Sequence, residues 1–463
     1  LLDTVGMRGE RRRHTITGAM KNLLPPRPRP MPSLSRSLGL GLLLLVVACS
    51  REVPERRPRV VILGLDGASP RVIEPMLEAG RLPNLAKLAA SGAYGPLKSH
   101  HPLLSPRVWT SMATGKRPKR HGIKSWVTPV GDGRNRLLYG SDRQTAALWN
   151  IVSQAGLRVG IVNWLMTYPP EVVDGVLISD HAIPAEAKGK KFLVKTFSGG
   201  DESRVAPIRT GGALTYPPGW ISRALDDRHL EATLTDIPDP FAGNAALPFQ
   251  RRIRMLSQFY ARDQQLASMT LEIETEIHPD LLMVIFQGID RVSHFLWEGV
   301  ETDLPEGADR AFSQSEAAAA RIALERYYEY SDALVGRFLE HFDENDLVLV
   351  VSDHGFEHRT GQWRTGNHTT PAAEDGIIIA RGPSVAPGRI SGVGVDDITP
   401  LVLAALGLPI GEDMDGRVPD FHRGAPVVSV PTHDVETIVR LDGEDSGADA
   451  MIEAQLRALG YVE

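Results

Sequence analysis

Acidic and histidine side chains follow several apolar segments of this sequence. They are Asp66, Asp290, His294, Asp353, His354 and His368. Carboxylates and imidazoles gathered in one buried place are costly to keep together without a cation, and two divalent metal ions would supply the missing charge. Because imidazole and carboxylate together suit zinc better than calcium, we expect two Zn²⁺ ions. For any one of these residues a helix cap or a surface position is an ordinary alternative, so the prediction depends on the ordered set.

A serine followed by a proline is the second feature that could do chemistry. Ser105 and Pro106 open a segment that is predicted to be a helix. Pro tolerates the first helical position, and a serine hydroxyl there caps free amides. A helix N-terminus also presents backbone N–H groups and a positive dipole end to a phosphate. A free serine hydroxyl is a poor nucleophile, but coordination to a cation lowers its pKa. A helix start and a nucleophile are therefore compatible roles for Ser105.

Apolar, strand-like runs alternate with helical patterns along the chain. The runs are residues 60–63, 159–162, 281–286, 347–351 and 376–380. Residues 71–91 have helical spacing as one segment that closes on Gly92. This alternation predicts an α/β fold with a doubly wound, mostly parallel central sheet flanked by helices, and ligands of such sheets bind beyond the carboxyl ends of the strands. Residues 183–251 have weaker periodicity and many Gly, Pro and charged residues, which predicts an inserted cap beside the site.

The N-terminal region, residues 1–57, differs from the rest in composition. Its apolar segment, residues 38–48, is too short to span a bilayer and is typical of a signal peptide. Residues 46–50 then resemble a bacterial lipobox, in which the cysteine is acylated, and Cys49 is the only cysteine of the chain. We expect a signal peptide, lipobox and tether, and an exported bacterial lipoprotein on the periplasmic face of a membrane or the cell surface. The alternatives are cleavage near Ala48 beside an incidental cysteine, or a buried helix.

Overall composition is that of a globular protein, with 463 residues, 42% hydrophobic and 23% charged. The formal net charge is −6, whereas nucleic-acid binders usually carry a basic face. We therefore expect no nucleic-acid partner. The expected partners are an anionic substrate, held by local charge, and the membrane, reached through acylated Cys49.

The ordered motifs resemble those of the alkaline phosphatase superfamily, and specifically of its type I phosphodiesterase/nucleotide pyrophosphatase branch, over residues 58–418. In that branch the nucleophilic Thr or Ser starts a helix nine residues before a Thr-Gly pair, and a His-Gly-Ile follows. Ser105, Thr114-Gly115 and His121-Gly122-Ile123 match this pattern. The resemblance implies an alkaline phosphatase-like fold. It also implies that residues 58–463 form a metal-dependent domain that hydrolyses phosphodiesters or nucleotide pyrophosphates through a phosphoseryl intermediate on Ser105.

The same resemblance assigns the metal ligands. One metal would be held by Asp290, His294 and His368. The other would be held by Asp66, Asp353, His354 and the oxygen of Ser105. The substrate is then a phosphate ester bound between the two ions and the serine.

One departure from the family pattern concerns substrate binding. Family diesterases carry an Asn shortly after the His-Gly-Ile, whereas this chain has Lys124, Ser125 and Trp126 there. Lys124, Ser125 or Arg107 could hydrogen-bond the phosphoryl oxygen instead, although a solvated cation is the alternative for Lys124 and Arg107. The preference for diesters or monoesters is therefore left open.

Several other functions are compatible with the same residues. A phosphomonoesterase or a head-group phosphotransferase of the same superfamily would use the same metals. A catalytically inactive, lipid-anchored metal- or ligand-binding protein is the alternative from another class. A sulfatase needs Cys or Ser in a Cys/Ser-x-Pro-x-Arg setting, and Ser105-Pro106-Arg107 lacks that spacing.

Overall fold

The computed structural model describes nine ranges of the chain. They are residues 57–131, 134–182, 213–224, 236–242, 250–301, 310–359, 364–373, 375–435 and 437–441. These residues belong to one compact unit, Arg56–Glu463. The predicted signal peptide, the lipobox with Cys49 and nearly all of the tether lie outside the described residues, as does most of the predicted cap at 183–251. Those assignments stay predictions.

The central feature is a sheet that has ten strands within the described ranges, together with three two-stranded sheets. In chain order the strands are β1 (Val60–Leu65), β2 (Ala93–Lys98), β3 (Val127–Gly131), β4 (Arg134–Leu137), β5 (Val159–Val162), β6 (Gly175–Ile178), β7 (Thr215–Tyr216), β8 (Leu281–Phe286), β9 (Leu347–Val351), β10 (Glu357–His358), β11 (Gly366–Asn367), β12 (Gly376–Arg381), β13 (Gly388–Arg389), β14 (Val393–Gly394), β15 (Ile410–Gly411) and β16 (Ser429–Val430). The order in the main sheet is β13-β2-β12-β9-β1-β8-β5-β6-β7, and β14 pairs with β2.

The middle of the main sheet is parallel. Strands β9, β1, β8, β5 and β6 pair with one another in parallel, whereas β12 is antiparallel to both of its neighbours. Every residue of β1, β8 and β9 is buried, as expected for parallel strands that are covered on both faces.

Helices cover both faces of this sheet. In chain order they are α1 (Pro70–Glu78), α2 (Pro83–Ser91), α3 (Ser105–Thr114), α4 (Pro118–His121), α5 (Leu148–Gln154), α6 (Trp220–Ala224), α7 (Gln250–Ile277), α8 (Gly288–Leu296), α9 (Gln314–Leu339) and α10 (Ile398–Ala405). Val61 and Leu63 of β1 pack in one core cluster with α1, α2, α7, α8 and α9. Val60 and Ile62 pack in a second cluster with α3, α5 and α10. The predicted doubly wound α/β fold is confirmed.

The prediction of one helix over residues 71–91 is wrong. The segment forms α1 and α2, separated by Gly80 at a φ of +69°, and Pro83 begins the second helix. A left-handed glycine ends a helix readily, and a proline is suited to the first position of the next one. The apolar spacing continues across the break because both helices pack on the same face of the sheet.

None of the helices in the described ranges combines the length and the apolar character needed to cross a bilayer.

Candidate metal centre and nucleophile

Strand order brings the candidate ligands to one edge of the sheet. Strand β1 lies between β9 and β8, and all three run parallel. Asp66 follows β1 directly, Asp353 and His354 follow β9, and α8 with Asp290 begins just after β8. Because parallel neighbours end on the same side, their carboxyl ends meet at one place.

The side chains form two overlapping groups. Ligand atoms of Asp66, Asp353 and His354 lie within 4.8 Å of one another, and so do those of Asp290, His354 and His368. His294 lies beside the second group, with its Nε2 3.4 Å from Asp290 Oδ1. The rings of His354 and His368 stack with centroids 3.7 Å apart. The structure thus brings together all six side chains that the sequence proposed as protein ligands.

Backbone carbonyl groups fix the orientation of the three imidazoles. The Nδ1 atoms of His294, His354 and His368 lie 3.0, 3.0 and 2.7 Å from the carbonyl oxygens of Gly366, Gly355 and Leu103. A carbonyl oxygen only accepts, so each Nδ1 carries the proton and donates it. In a neutral ring this tautomer leaves the lone pair on Nε2, which is the arrangement of a metal-ligating histidine whose other nitrogen is held by a second partner.

Each of the three buried carboxylates has an oxygen that accepts no hydrogen bond from the described residues. Four buried atoms have no hydrogen-bond partner among the described residues, namely Asp66 Oδ1, Asp290 Oδ1, Asp353 Oδ2 and His354 Nε2. Burial raises the pKa of Asp66 well above its ordinary value, and the Asp353 carboxylate raises it further. Burial likewise lowers the pKa of His368 well below its ordinary value. Acceptor atoms that face one another without a proton or a donor fit divalent cations, which satisfy several such atoms at once.

Ser105 is the first residue of α3 and is 2% exposed. Leu104, and not Ser105, occupies the N-cap position. Within the described part of the chain the Ser105 hydroxyl makes no hydrogen bond. The expectation that this hydroxyl caps the helix is therefore wrong. Two contacts hold the preceding loop at the ligand group: Ser99 Oγ donates to the Asp353 carbonyl, and Leu103 accepts from His368. The chain therefore enters α3 beside the candidate metal ligands.

His121 has a positioning role that the sequence did not reveal. Its Nδ1 accepts a hydrogen bond from the Ile123 N–H at 3.1 Å, so its Nε2 carries the proton and donates to Ser111 Oγ at 3.0 Å. Burial lowers the pKa of His121 to about 3, so the ring is neutral. This neutral ring ties the loop after α4 to the middle of α3. The His-Gly-Ile motif pointed to the residue, but its two partners depend on the fold.

The three candidate substrate-binding residues are not equally placed. Arg107 and Lys124 line a cavity of about 510 Å³ together with Ser99. Ser125 is half-buried and is not among the described residues that line this cavity. Arg107 is half-buried too, and burial lowers its pKa.

Several solved structures are similar to this chain at low sequence identity. A 2-O GAG sulfatase is 12% identical, with a TM-score of 0.49 over 81% of this chain and 76% of that chain. A putative sulfatase from Bacteroides thetaiotaomicron VPI-5482 is 14% identical, with a TM-score of 0.48 and the same coverage. Phosphonoacetate hydrolase from Sinorhizobium meliloti 1021 is 16% identical, with a TM-score of 0.36 over 65% of this chain and 58% of that chain. No curated protein matches the sequence.

The family is given by the sequence match. Residues 60–386 match the family described as "Type I phosphodiesterase / nucleotide pyrophosphatase", which is more than half of the 463 residues. The matched range contains Ser105 and all six candidate protein ligands. The chain therefore belongs to the type I phosphodiesterase/nucleotide pyrophosphatase family, and so to the hydrolases of the alkaline phosphatase superfamily.

Proposed function

We propose that this protein hydrolyses phosphate esters of the phosphodiester or nucleotide pyrophosphate type, with Ser105 as nucleophile and two divalent cations, most simply Zn²⁺. The observation that carries the proposal is the set of four buried ligand atoms without hydrogen-bond partners at the edge of the sheet. The loop before Ser105 is hydrogen-bonded to two of the six candidate ligand residues, His368 and Asp353.

The ligands divide into two sets in this proposal. Asp66, Asp353 and His354 hold one cation together with Ser105. Asp290, His294 and His368 hold the other. The His354 imidazole lies in both observed groups, and its closest carboxylate contacts are to Asp353 at 3.4 Å and to Asp66 at 3.5 Å. These two contacts support its assignment to the first set.

The reaction follows from the position of the serine. When bound, the two cations lower the pKa of the serine hydroxyl and stabilise the negative charge on the phosphoryl oxygens. Ser105 Oγ gives its proton to solvent and attacks phosphorus, the bond to the leaving oxygen breaks, and that oxygen takes a proton from solvent. Water then hydrolyses the phosphoseryl ester and releases the retained part of the substrate.

Replacing the nucleophile tests this function. Ser105→Ala is expected to lower turnover of bis-p-nitrophenyl phosphate at least about a thousandfold, while elemental analysis still finds close to two metal ions per chain. A chelator is expected to abolish wild-type turnover. Ser91→Ala is the matched control, because Ser91 lies on α2 and its hydroxyl only bonds back to its own helix. A Ser105→Ala variant that keeps most of its rate contradicts the proposal.

We further propose that the protein is exported and anchored to a membrane through acylated Cys49. The support is the sequence alone: one cysteine directly after a short apolar segment. In a bacterial host the full chain is expected in the membrane fraction and Cys49→Ser in the soluble fraction, without the mass of an acyl group. Equal membrane fractionation of the two proteins contradicts the anchor.

A further inference from the structure

A cavity rich in positive charge borders α3, the helix that begins at Ser105. Its volume is about 510 Å³, which is ample for a phosphate or a substituted phenyl group. Apart from Ser99 and Pro118, its lining consists of nitrogen-bearing side chains, namely His100, His101, Arg107, Arg117, Lys119 and Lys124. No acidic side chain lines it in the described ranges.

This charge is only partly compensated. Asp396 is paired with two of the lining residues, His100 at 2.8 Å and Arg117 at 3.2 Å. Arg107, Lys119 and Lys124 make no ion pair with the described residues, and Arg107 Nε is buried without a hydrogen-bond partner. A partly buried guanidinium without a partner is costly, so a bound anion would stabilise this cluster.

The cavity borders the helix that begins at Ser105. Arg107 is in the first turn of α3, two residues after Ser105, and Ser99 donates to the carbonyl of Asp353. In an in-line displacement the leaving group departs opposite the attacking oxygen. A cavity that borders the helix carrying the serine is therefore better placed for the substituent that stays on phosphorus than for the leaving group.

Hydrogen bonds fix the segments that carry Lys119 and Lys124. The backbone N–H of Arg117 donates to Asp415 Oδ2 at 2.8 Å, and Arg120 donates to the other oxygen at 3.2 Å. These contacts anchor α4, which carries Lys119. Lys124 follows the segment that His121 ties to α3.

We propose that this cavity binds a second anionic group of the substrate, so that the preferred substrates are phosphate diesters whose retained substituent carries its own phosphoryl or carboxylate group. This inference rests on the proposed function. The side chains that would select substrates by this charge are Arg107, Lys119 and Lys124.

Isosteric diesters test the inference. Bis-p-nitrophenyl phosphate has a neutral retained group, and 4-nitrophenyl 4-carboxyphenyl phosphate replaces one nitro group by a carboxylate of nearly the same shape. A 4-phosphonophenyl analogue distinguishes a phosphoryl from a carboxylate preference. All three release p-nitrophenolate. The wild-type enzyme is expected to have about a tenfold higher kcat/KM for one or both charged diesters, as two charge-assisted contacts allow.

The double variant Lys119→Gln/Lys124→Gln is expected to bring the ratio of charged to neutral kcat/KM close to one. Lys87→Gln is the matched control, because Lys87 is exposed on α2, and it should keep the wild-type ratio. A wild-type enzyme that turns over all three diesters equally, or a double variant that keeps the preference, overturns the inference and leaves the proposed function standing. Absence of metal-dependent turnover on every diester contradicts both.

Discussion

Single side chains set the charge of the candidate metal centre. Asp290 illustrates this, because its Oδ1 lies 3.4 Å from His294 Nε2 and 3.6 Å from His368 Nε2. The three residues converge on one oxygen atom that has no hydrogen-bond donor. The carboxylate of Asp290 is therefore the acidic member of a set that otherwise consists of imidazoles.

Removal of that charge is the first prediction. Asp290→Asn keeps the size of the side chain but loses its negative charge, so its site should hold a cation far more weakly. We expect elemental analysis to find close to one metal ion per chain instead of two, and phosphodiester turnover to fall at least about 100-fold. Asp174→Asn, at an exposed position, should change neither quantity. Two ions in Asp290→Asn would remove this residue from the ligand set.

At the scale of elements, the distance between nucleophile and ligands depends on how β1 packs against α3. Gly64 lies near the end of β1, and a Cβ atom built on it would be 2.7 Å from Cη2 of Trp109 on α3. Trp109 is fully buried and packs edge-on against Trp164, with ring centroids 5.1 Å apart. The absent side chain of Gly64 thus lets the helix that carries Ser105 approach the strand that ends at Asp66.

Gly64→Ala is therefore expected to push α3 away from β1. A displacement of some tenths of an ångström at a reacting group is costly, so we expect kcat to fall about 10- to 100-fold with metal content retained. Overpacking should also reduce the free energy of unfolding by about 1–3 kcal/mol. Gly219→Ala is the control, because no atom of the described residues, apart from its chain neighbours, lies within 4 Å of its Cβ position. Loss of stability with wild-type kcat would contradict this role.

His121 joins two elements, and its effect should depend on pH. Its pKa is lowered from 6.5 to about 3 in the folded protein, so below pH 6.5 the unfolded chain binds the proton more readily. The stabilisation by neutral His121 is fully present above pH 6.5 and is lost as the pH falls, at up to about 1.4 kcal/mol per pH unit. His121→Asn keeps an acceptor for Ile123 and should not titrate.

The measurement is the difference in free energy of unfolding between wild type and His121→Asn, from urea titrations with chelator in both samples. We expect this difference to be largest at pH 8 and to shrink by about 2 kcal/mol at pH 5, since that lies 1.5 pH units below the ordinary value. An equal difference at the two pH values would show that the ring is not held neutral.

The sequence revealed those elements that have a strong local pattern. The apolar runs at β1, β8 and β9 predicted buried parallel strands and placed acidic residues at their ends. Strand β2, with the sequence AYGPLK, has no such run and was not predicted, because its burial depends on pairing with β12 and β13. The partners of His121 and the charge balance of the cavity likewise depend on contacts between distant segments.

At the scale of the whole molecule, the ligands tie together segments that are far apart in the chain. They span residues 66–368 and come from segments that follow three adjacent strands and from the loop that follows β11. Ligands from distant segments form no site in the unfolded chain, so metal binding stabilises the folded state selectively. Without metal, burial and mutual repulsion raise the pKa of Asp66 well above its ordinary value.

Thermal stability should therefore respond to metal and to pH together. A ligand present at about 1,000 times its Kd stabilises a fold by about 4 kcal/mol, so we expect added Zn²⁺ to raise the Tm by several degrees and a chelator to reverse the shift. Protons compete with metal for Asp66 and Asp353, because burial raises the pKa of both carboxyl groups in the metal-free state. The shift in Tm should therefore be larger at pH 8 than at pH 6. Asp290→Asn, which lacks one of the two sites, should give a smaller shift in Tm. If the Tm of the wild-type protein is the same with zinc and with chelator, that result contradicts a metal centre that spans these strands.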